Sequence, residues 1–473
     1  MSTITHPETA AKTKVGARMW AILAVILAAD VLDLLDSTIT NIAAPTIAND
    51  LGGGQSLIQW LGAGYALALG VLLVVGGRLG DGFGKRRLFL IGVAGFTVAS
   101  VACGLAIDPT SIVTARLAQG AFGALLIPQG FGILTQVFPR EQLGKAFGVF
   151  GPALGLSAVG GPILAGFLID ADLFGLGWRA MFLINIVLGS LAFAAAYRLL
   201  PADDGDRTVA IDALGSALLG AAMFGSLFGL IQGSANGWTA APCGYLAAGA
   251  VAFALFARRQ LTATNPLIEP SLFANRGFTS GLLLGLVFFA AVSGLLYVLS
   301  LFMQTGLGYT PTGAALGLAP LAAGIIVASV AAHQLLAKLG RTLIWIGLLI
   351  TLAGTGLLLA LALTAGTDIT AWVLAVPVFI LGVGMGTCFG TIFQITIGDI
   401  DPAETGSGSG SLSAVQQLAN AIGAAAVTTV YFHTTGSGQA HALTVSLLVV
   451  AAITLVSCGL VRLLPRRAPA TDH

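Results

Sequence analysis

Apolar residues gather in fourteen segments, separated by short polar stretches. Most of them reach the length of about 20 residues that a helix needs to cross a bilayer. This pattern predicts fourteen transmembrane helices, at residues 19–45, 57–79, 88–107, 111–137, 146–169, 180–200, 212–232, 241–257, 278–303, 312–336, 342–365, 371–397, 407–432 and 441–464.

Lysine and arginine positions test this count, because cytoplasmic loops of membrane proteins collect both residues. If the N-terminus is cytoplasmic, the 21 basic residues fall in cytoplasmic segments, apart from Arg116 within a span and Arg179 outside. A miscounted helix would break this alternation. We therefore expect an even number of spans, with both termini on the cytoplasmic side of the cell membrane.

Composition agrees with a multi-pass membrane protein. Hydrophobic residues make up 56% of the chain and charged residues 9%, whereas soluble domains carry about 25% charged residues. The net charge of +1 offers no basic surface for nucleic acid. The four cysteines show no metal-ligand spacing, so no metal site and no cofactor are expected. The polar start runs into a full-length span, which is unlike a cleavable signal peptide.

A faint internal repeat divides the chain. Gly84-Lys85 recurs as Gly340-Arg341, and the run 156–159 recurs at 412–415 with the same offset. Such duplications underlie many secondary transporters. The predicted organisation is a cytoplasmic N-terminus (1–18), a six-helix bundle (19–200), a linker with two extra helices (201–276), a second six-helix bundle (277–464) and a cytoplasmic tail (465–473).

The first span carries three acids in its middle, Asp30, Asp33 and Asp36. Each centrally placed acid costs roughly 2.5–3.5 kcal/mol on insertion scales, so such residues normally face a bundle interior or a wet cavity. At about 100° per residue, the three acids share an arc of about 120°. Asn41 extends this polar face. We expect these residues to bind substrate and protons.

Two other stretches combine charge with small residues. The loop at 77–87 sets Asp81 among glycines and basic residues, which suits a tight turn with a bound carboxylate. Arg116 is the only cation within a predicted span and needs an acid or a wet cavity, unless it snorkels to the interface. The fifth span is dense in Gly-Pro steps, which favour close packing and bending; these involve Gly151, Pro152, Gly155, Gly161 and Pro162.

Together these stretches resemble the motifs of the major facilitator superfamily, specifically its fourteen-span drug:proton antiporters. The segment 35–45 resembles the first-span motif of that group, 77–87 the signature loop, 116–123 the fourth-span motif and 148–166 the antiporter motif. The loop departs from the signature at Gly82, where a basic residue is usual. Asp30 and Asp33 lie outside the first-span motif.

The resemblance implies an all-α fold of two six-helix bundles plus two extra helices, working by alternating access. It implies that Asp36 faces a central cavity and that Arg116 takes part in proton coupling. It also implies that the loop latches the cytoplasmic side, through Gly77, Asp81, Gly84, Lys85 and Arg86.

The resulting hypothesis is proton-coupled export of small lipophilic, cationic drugs or antibiotics by a monomer. Its partners would be the small-molecule substrate, protons and the lipid bilayer. The alternative within transport is a dedicated exporter or importer of a single endogenous metabolite. A membrane enzyme is disfavoured, because the histidines lack metal spacing and the acids gather in the middle of a span rather than near one interface.

Overall fold

The computed structural model describes residues 16–139, 175–206, 212–398, 400–401 and 404–465, together with separate positions between 142 and 168. These parts of the chain are helical, and no strand occurs in them. The first group of helices comprises α1 (Ala17–Leu51), α2 (Gly54–Phe83), α3 (Lys85–Gly104), α4 (Pro109–Gly123), α5 (Leu126–Val137) and α6 (Arg179–Leu199).

The remaining helices follow a polar linker. They are α7 (Ala213–Asn236), α8 (Ala240–Thr262), α9 (Pro270–Ala274), α10 (Arg276–Thr305), α11 (Pro311–Gly317), α12 (Ala319–Leu339), α13 (Arg341–Ala365), α14 (Ala371–Ile397), α15 (Thr405–Thr434) and α16 (Gln439–Leu460). Two short 3₁₀ turns, Thr435–Ser437 and Val461–Leu463, flank α16.

Local sequence explains several helix boundaries. Gly84 separates α2 from α3 with a φ of 92°, in the left-handed region that glycine enters without steric cost. Asp108 caps α4 by accepting from the backbone of Thr110 and Ser111, with Pro109 at the first helical position. The Ser111 hydrogen bond is the main cause that holds the pKa of Asp108 below its ordinary value.

The helices form two packed groups. In the first, α3 packs against α4 and α6, and α1 against α2 and α6. In the second, α10 packs against α15 and α16, and α14 against α12 and α13. The groups meet where α15 packs against α2 and α5. The hairpin of α7 and α8 lies outside both groups, yet α7 touches both α2 and α15.

Ten helices within the described residues are long and apolar enough to cross a membrane. This number does not support the predicted count of fourteen. The 35-residue helix α1 is not among the ten, although it is about 52 Å long, since charged side chains interrupt its apolar stretch. The chain is thus a multi-pass helical protein, and the full span count remains a prediction.

The structure refines some predicted segments and leaves others untested. The segment 111–137 consists of two helices, α4 and α5, with a break at Ala124 and Leu125. The segment 312–336 is likewise divided, into α11 and α12 at Leu318. Of the predicted antiporter-motif positions, Gly151, Pro152, Gly155 and Pro162 lie outside the described residues. Gly161 is helical and buried.

Candidate functional site

Two acids of α1 point into the first helix group. Asp33 and Asp36 are buried, with 8% and 4% of their surface exposed. Their three-residue spacing places them on nearly the same face of α1, toward α2, α4 and α6. The polar face predicted from the sequence therefore lies inside the protein rather than against lipid.

Asp36 is held from two neighbouring helices. The guanidinium of Arg116, on α4, forms a hydrogen-bonded ion pair with one carboxylate oxygen. The amide of Asn185, on α6, donates to the other oxygen at 2.9 Å. The same amide donates to Ser100 Oγ at 2.8 Å, which extends the network to α3. Asp36 is thus enclosed by protein on both of its oxygens.

Arg116 is fully buried and makes several contacts. Its Nε donates to the backbone oxygen of Leu61 at 3.1 Å, and its Nη1 also donates to Gln119 Oε1 at 2.7 Å. Its guanidinium carbon lies 4.4 Å from the ring centroid of Tyr65, a cation–π contact. Arg116 does not snorkel toward an interface.

Within the part of the chain that the structure describes, Asp33 and Asp30 have no cationic partner of this kind. The hydroxyl of Tyr65, on α2, donates to Asp33 Oδ1. A buried oxygen of Asp30 has no hydrogen-bond partner within the described part of the chain. The site thus has two units, Asp33 and the pair of Asp36 with Arg116. Tyr65 contacts both, because its hydroxyl donates to Asp33 and its ring lies beside Arg116.

The charges of this cluster do not balance. It contains three carboxyl groups, and Arg116 is the one cation that touches it among the described residues. A guanidinium can neutralise one carboxylate, and further ionised carboxylates in a site of low dielectric would be costly. The arrangement is suited to holding protons, a cationic ligand, or each in turn.

Several residues of this network escaped the sequence interpretation. The sequence does not say which acid Arg116 needs, and the structure pairs it with Asp36 rather than Asp33. Asp36, expected to face a central cavity, is enclosed by α4 and α6. Asn41 lies on α1, and its side chain is outside what the structure describes. Tyr65, Asn185 and Gln119 were missed; for Asn185, the signal was a buried amide in the middle of an otherwise apolar helix.

The segment 77–87, predicted to be a loop, consists of the last turns of α2 and the first turn of α3, with a break only at Gly84. It brings Asp81 to the start of α15. Asp81 Oδ2 accepts a hydrogen bond from the backbone N–H of Ser407, in the first turn of α15, at 3.2 Å. Asp81 Oδ1 lies 3.1 Å from Lys85 Nζ. Helix N-termini carry unpaired N–H groups and partial positive charge, so a buried carboxylate is stabilised there. Asp81 thus joins the two helix groups where α2 meets α15.

Two glycines of this segment allow backbone from α15 and from the linker to approach it closely. A Cβ on Gly77 would lie 2.3 Å from the backbone oxygen of Gly406 on α15. A Cβ on Gly84 would lie 2.2 Å from the backbone oxygen of Asp203, and the carboxylate of Asp203 accepts from the N–H of Lys85 at 3.0 Å. Arg86 instead faces α6, donating to the backbone oxygen of Tyr197 at 2.5 Å.

A sequence profile of the Major Facilitator Superfamily matches residues 26–424. The chain belongs to this superfamily. No group of three or more His, Cys, Asp or Glu side chains in the described residues could hold a metal ion. Membership indicates a transporter rather than an enzyme.

Members of the superfamily with related sequences carry antibiotic names. The chain is 43% identical to the "Probable actinorhodin transporter" of Streptomyces coelicolor, over 91% of this chain and 75% of that protein. It is 38% identical to the "Tetracenomycin C resistance and export protein" of Streptomyces glaucescens, over 66% of this chain and 58% of that protein. The puromycin resistance protein of Streptomyces alboniger is 35% identical, over 65% of this chain and 61% of that protein.

Solved structures share the superfamily fold at low sequence identity. A human organic anion transporter superposes with a TM-score of 0.70 and 13% identity, covering 94% of this chain and 99% of that one. A proton:xylose symporter gives 0.68 and 15%, covering 94% and 95%. These likenesses support the fold alone.

Proposed function

We propose that this protein exports lipophilic antibiotics, cationic ones among them, across the cytoplasmic membrane in exchange for protons. The names of the related antibiotic transporters support export of this class of cargo. The observation that supports proton coupling is the pair of buried carboxyl groups, Asp33 and Asp36, with the half-buried Asp30 one turn away and one guanidinium beside them among the described residues. We further propose a monomer with fourteen spans, the predicted domain division and both termini in the cytoplasm.

The proposed cycle uses the two units of the site differently. Asp36 is neutralised by Arg116, so Asp33 is the carboxyl group that exchanges a proton for cargo. Asp30 lies one turn away from Asp33. We expect Asp30 to contribute less, because no contact among the described residues joins it to Asp36 or Arg116. A cationic cargo arriving from the cytoplasm favours ionised Asp33 and displaces its proton. A proton from outside then releases the cargo. Coupling requires that cargo bind the two protonation states with different affinity.

Alternating access requires that one end of the protein close as the other opens. In the proposed orientation, the junction of α2 and α15 lies at the cytoplasmic end. Asp81, bound to the first turn of α15, would act as the latch on that side, with Gly77, Gly84, Lys85 and Arg86 shaping the turn. Opening toward the cytoplasm would remove the Asp81–Ser407 contact.

Proton release on addition of cargo is the decisive experiment. Purified protein in weakly buffered detergent solution is mixed with a cationic dye such as ethidium, and the pH is followed. Acidification by the parent protein, lost in Asp33→Asn, is expected. Cargo binding that releases no protons at any pH between 6 and 8 would exclude antiport by this site.

A second candidate is a dedicated exporter of a single compound, with import of an endogenous metabolite as its variant. The relatives favour it in one respect, since each of those three is named for one antibiotic. A growth screen of an efflux-deficient strain distinguishes the two. Resistance to several unrelated cationic and neutral antibiotics supports the broad exporter, and resistance to one supports the dedicated one.

A further inference from the structure

The connection between the extra helices and the second helix group contains a short buried segment. It comprises residues 267–272, here named the tether, and lies between α8 and α10. Leu267, Ile268 and Leu272 are buried in the main hydrophobic core, with at most 8% of their surface exposed. Gln260 of α8 fixes the tether further by donating to the backbone oxygen of Ile268.

The tether holds the first helix group through an ion pair. Glu269 Oε1 lies 2.6 Å from Arg78 Nη2 on α2, and the arginine side chain is only 6% exposed. Arg78 Nε has no hydrogen-bond partner among the described residues. Glu269 is thus the carboxylate in contact with the buried guanidinium of Arg78. Arg78 lies about one helical turn before Asp81 on α2.

The tether also holds the second helix group. Ser271 Oγ donates to Glu404 Oε1 at 2.7 Å, and Glu404 is the residue that precedes α15. Two residues after Glu269, the tether is therefore bound to the same end of α15 at which the Ser407 N–H donates to Asp81. One six-residue segment spans the junction of α2 and α15.

Each of the two buried cations at this junction has its own carboxylate, and for Arg78 that carboxylate comes from the tether. Arg78 and Lys85 provide two cations, and Asp81 provides one carboxylate. Glu269 provides the second carboxylate.

We propose that Glu269 is a positioning residue of the cytoplasmic gate, through which the two extra helices hold the gate closed. The helices α2 and α15 cannot part unless the contact to Arg78 or the contact to Glu404 breaks, since one segment makes both. This assigns a role to the extra helices and goes beyond antibiotic export. The placement of this gate on the cytoplasmic side rests on the proposed orientation.

Accessibility of a cysteine inside the junction measures gate opening without any cargo. Ser409 on α15 is fully buried and donates to the backbone oxygen of Pro128 on α5 at 3.4 Å. Ser409→Cys, in a background without Cys103, Cys243, Cys388 and Cys458, is labelled with N-ethylmaleimide in purified protein. Because no transport is measured, failure of this proposal is separate from failure of the proposed function.

Glu269→Gln is expected to speed labelling roughly three- to tenfold, because a buried cation then loses its partner and the closed state is weakened. Arg78→Glu should do the same, and Arg78→Glu with Glu269→Arg should restore slow labelling. Asp50→Asn is the matched control: it breaks an ion pair of 2.9 Å with Arg179 that joins α1 to α6 within one helix group. It should leave labelling unchanged.

The two ends of the tether act in series, which gives a sharper test. Ser271→Ala alone should also speed labelling, while the double variant Ser271→Ala/Glu269→Gln should label no faster than the faster single variant. Additive effects would mean that the two contacts act independently, and would overturn the proposal that the tether links them. Unchanged labelling in Glu269→Gln, or reversed charges that fail to restore the parent rate, would also overturn it. If Glu269→Gln folds poorly, Ser271→Ala decides.

Discussion

The ion pair of Asp36 and Arg116 is the most constrained pair in the site, and its loss should be costly. We expect Asp36→Asn to lower the free energy of unfolding by about 3–5 kcal/mol, because it leaves a buried guanidinium unpaired. It should also abolish proton-coupled export, because the unpaired Arg116 would hold Asp33 ionised and leave it no proton to exchange. Asp33→Asn should retain the fold yet lose cargo-induced proton release, impair cationic cargo and spare neutral cargo. Loss of Asp30 should matter less. Thermal stability and proton release of each purified variant are the measurements.

The double variant Asp36→Asn/Arg116→Gln separates folding from coupling. It removes both charges and should recover much of the stability. It should remain uncoupled, because Asp33 then has no nearby cation to support its ionised form. Full proton release and parental resistance in Asp36→Asn would contradict the mechanism. A large stability loss in Asp33→Asn, without one in Asp36→Asn, would contradict the observed pairing.

Tyr65 connects the two units of the site, so its hydroxyl should matter for coupling. Tyr65→Phe keeps the ring beside Arg116 but removes the hydrogen bond to Asp33, which contributes about 1.5–3 kcal/mol if Asp33 is charged. We expect weaker cargo-induced proton release and an altered pH profile of transport, with little change in folding. Tyr431→Phe is the control, since its hydroxyl donates to Gln439 at 2.6 Å, far along the chain from α1. Equal effects of both changes would indicate a merely structural role for Tyr65.

At this scale the sequence predicts the acids but not their partners. Spacing alone places Asp30, Asp33 and Asp36 on one face of α1. Which of the acids pairs with Arg116 depends on how far α4 is displaced along α1, and no local sequence pattern encodes that displacement. Tyr65 and Asn185 acquire their roles only through contacts between helices, and polarity is the one feature that marks them in the sequence.

Among the elements, the first turn of α15 is the most informative. Asp81 binds the Ser407 N–H there, where an anion is stabilised by the unpaired amides and the helix dipole. Asp81→Asn keeps an acceptor oxygen but removes the charge, so we expect slower transport with cargo binding still measurable. Transport in proteoliposomes and binding in detergent are compared for the same preparation. Transport at the parental rate would reduce the loop motif to a topology signal.

Helices as elements follow closely from the apolar segments, but their breaks do not. The segment 111–137 divides at Ala124 and Leu125, where a Cβ on Gly76 of α2 would meet the Ala124 backbone oxygen at 2.5 Å. Pro128, four residues on, has no N–H to donate to that carbonyl oxygen, so the break has a local cause in the sequence that the apolar pattern does not reveal. The short helix α9 lies outside the predicted spans, and its position is fixed by Leu272 entering a core built from distant helices.

For the whole molecule, composition and basic-residue alternation predict a multi-pass membrane protein without any contact information. They do not predict that α7 reaches both helix groups, because lipid-facing and protein-facing apolar surfaces look alike in sequence. The orientation rests on the basic residues, and the span count rests on the apolar segments that those residues test. They call for a direct test, and the structure indicates where reporter residues fit.

Single cysteines in a cysteine-free background give that test in whole cells. The proposed topology places Asn49, Ala241 and Gly436 outside and the linker inside, and all three outer positions are exposed. In the linker, Gly205 is unsuitable, because its φ is 67° and a Cβ would lie 2.4 Å from the Gly84 nitrogen. The exposed Ala202 replaces it.

An impermeant thiol reagent should therefore label Asn49→Cys, Ala241→Cys and Gly436→Cys in intact cells. It should label Ala202→Cys only after the cells are opened, which also shows that the inner cysteine is reactive. Labelling of Ala202→Cys in intact cells would mean an odd number of spans before the linker. Protection of Ala241→Cys alone would mean that neither α7 nor α8 crosses the membrane, and the tether would still lie on the cytoplasmic face, because five spans separate it from the labelled Gly436→Cys.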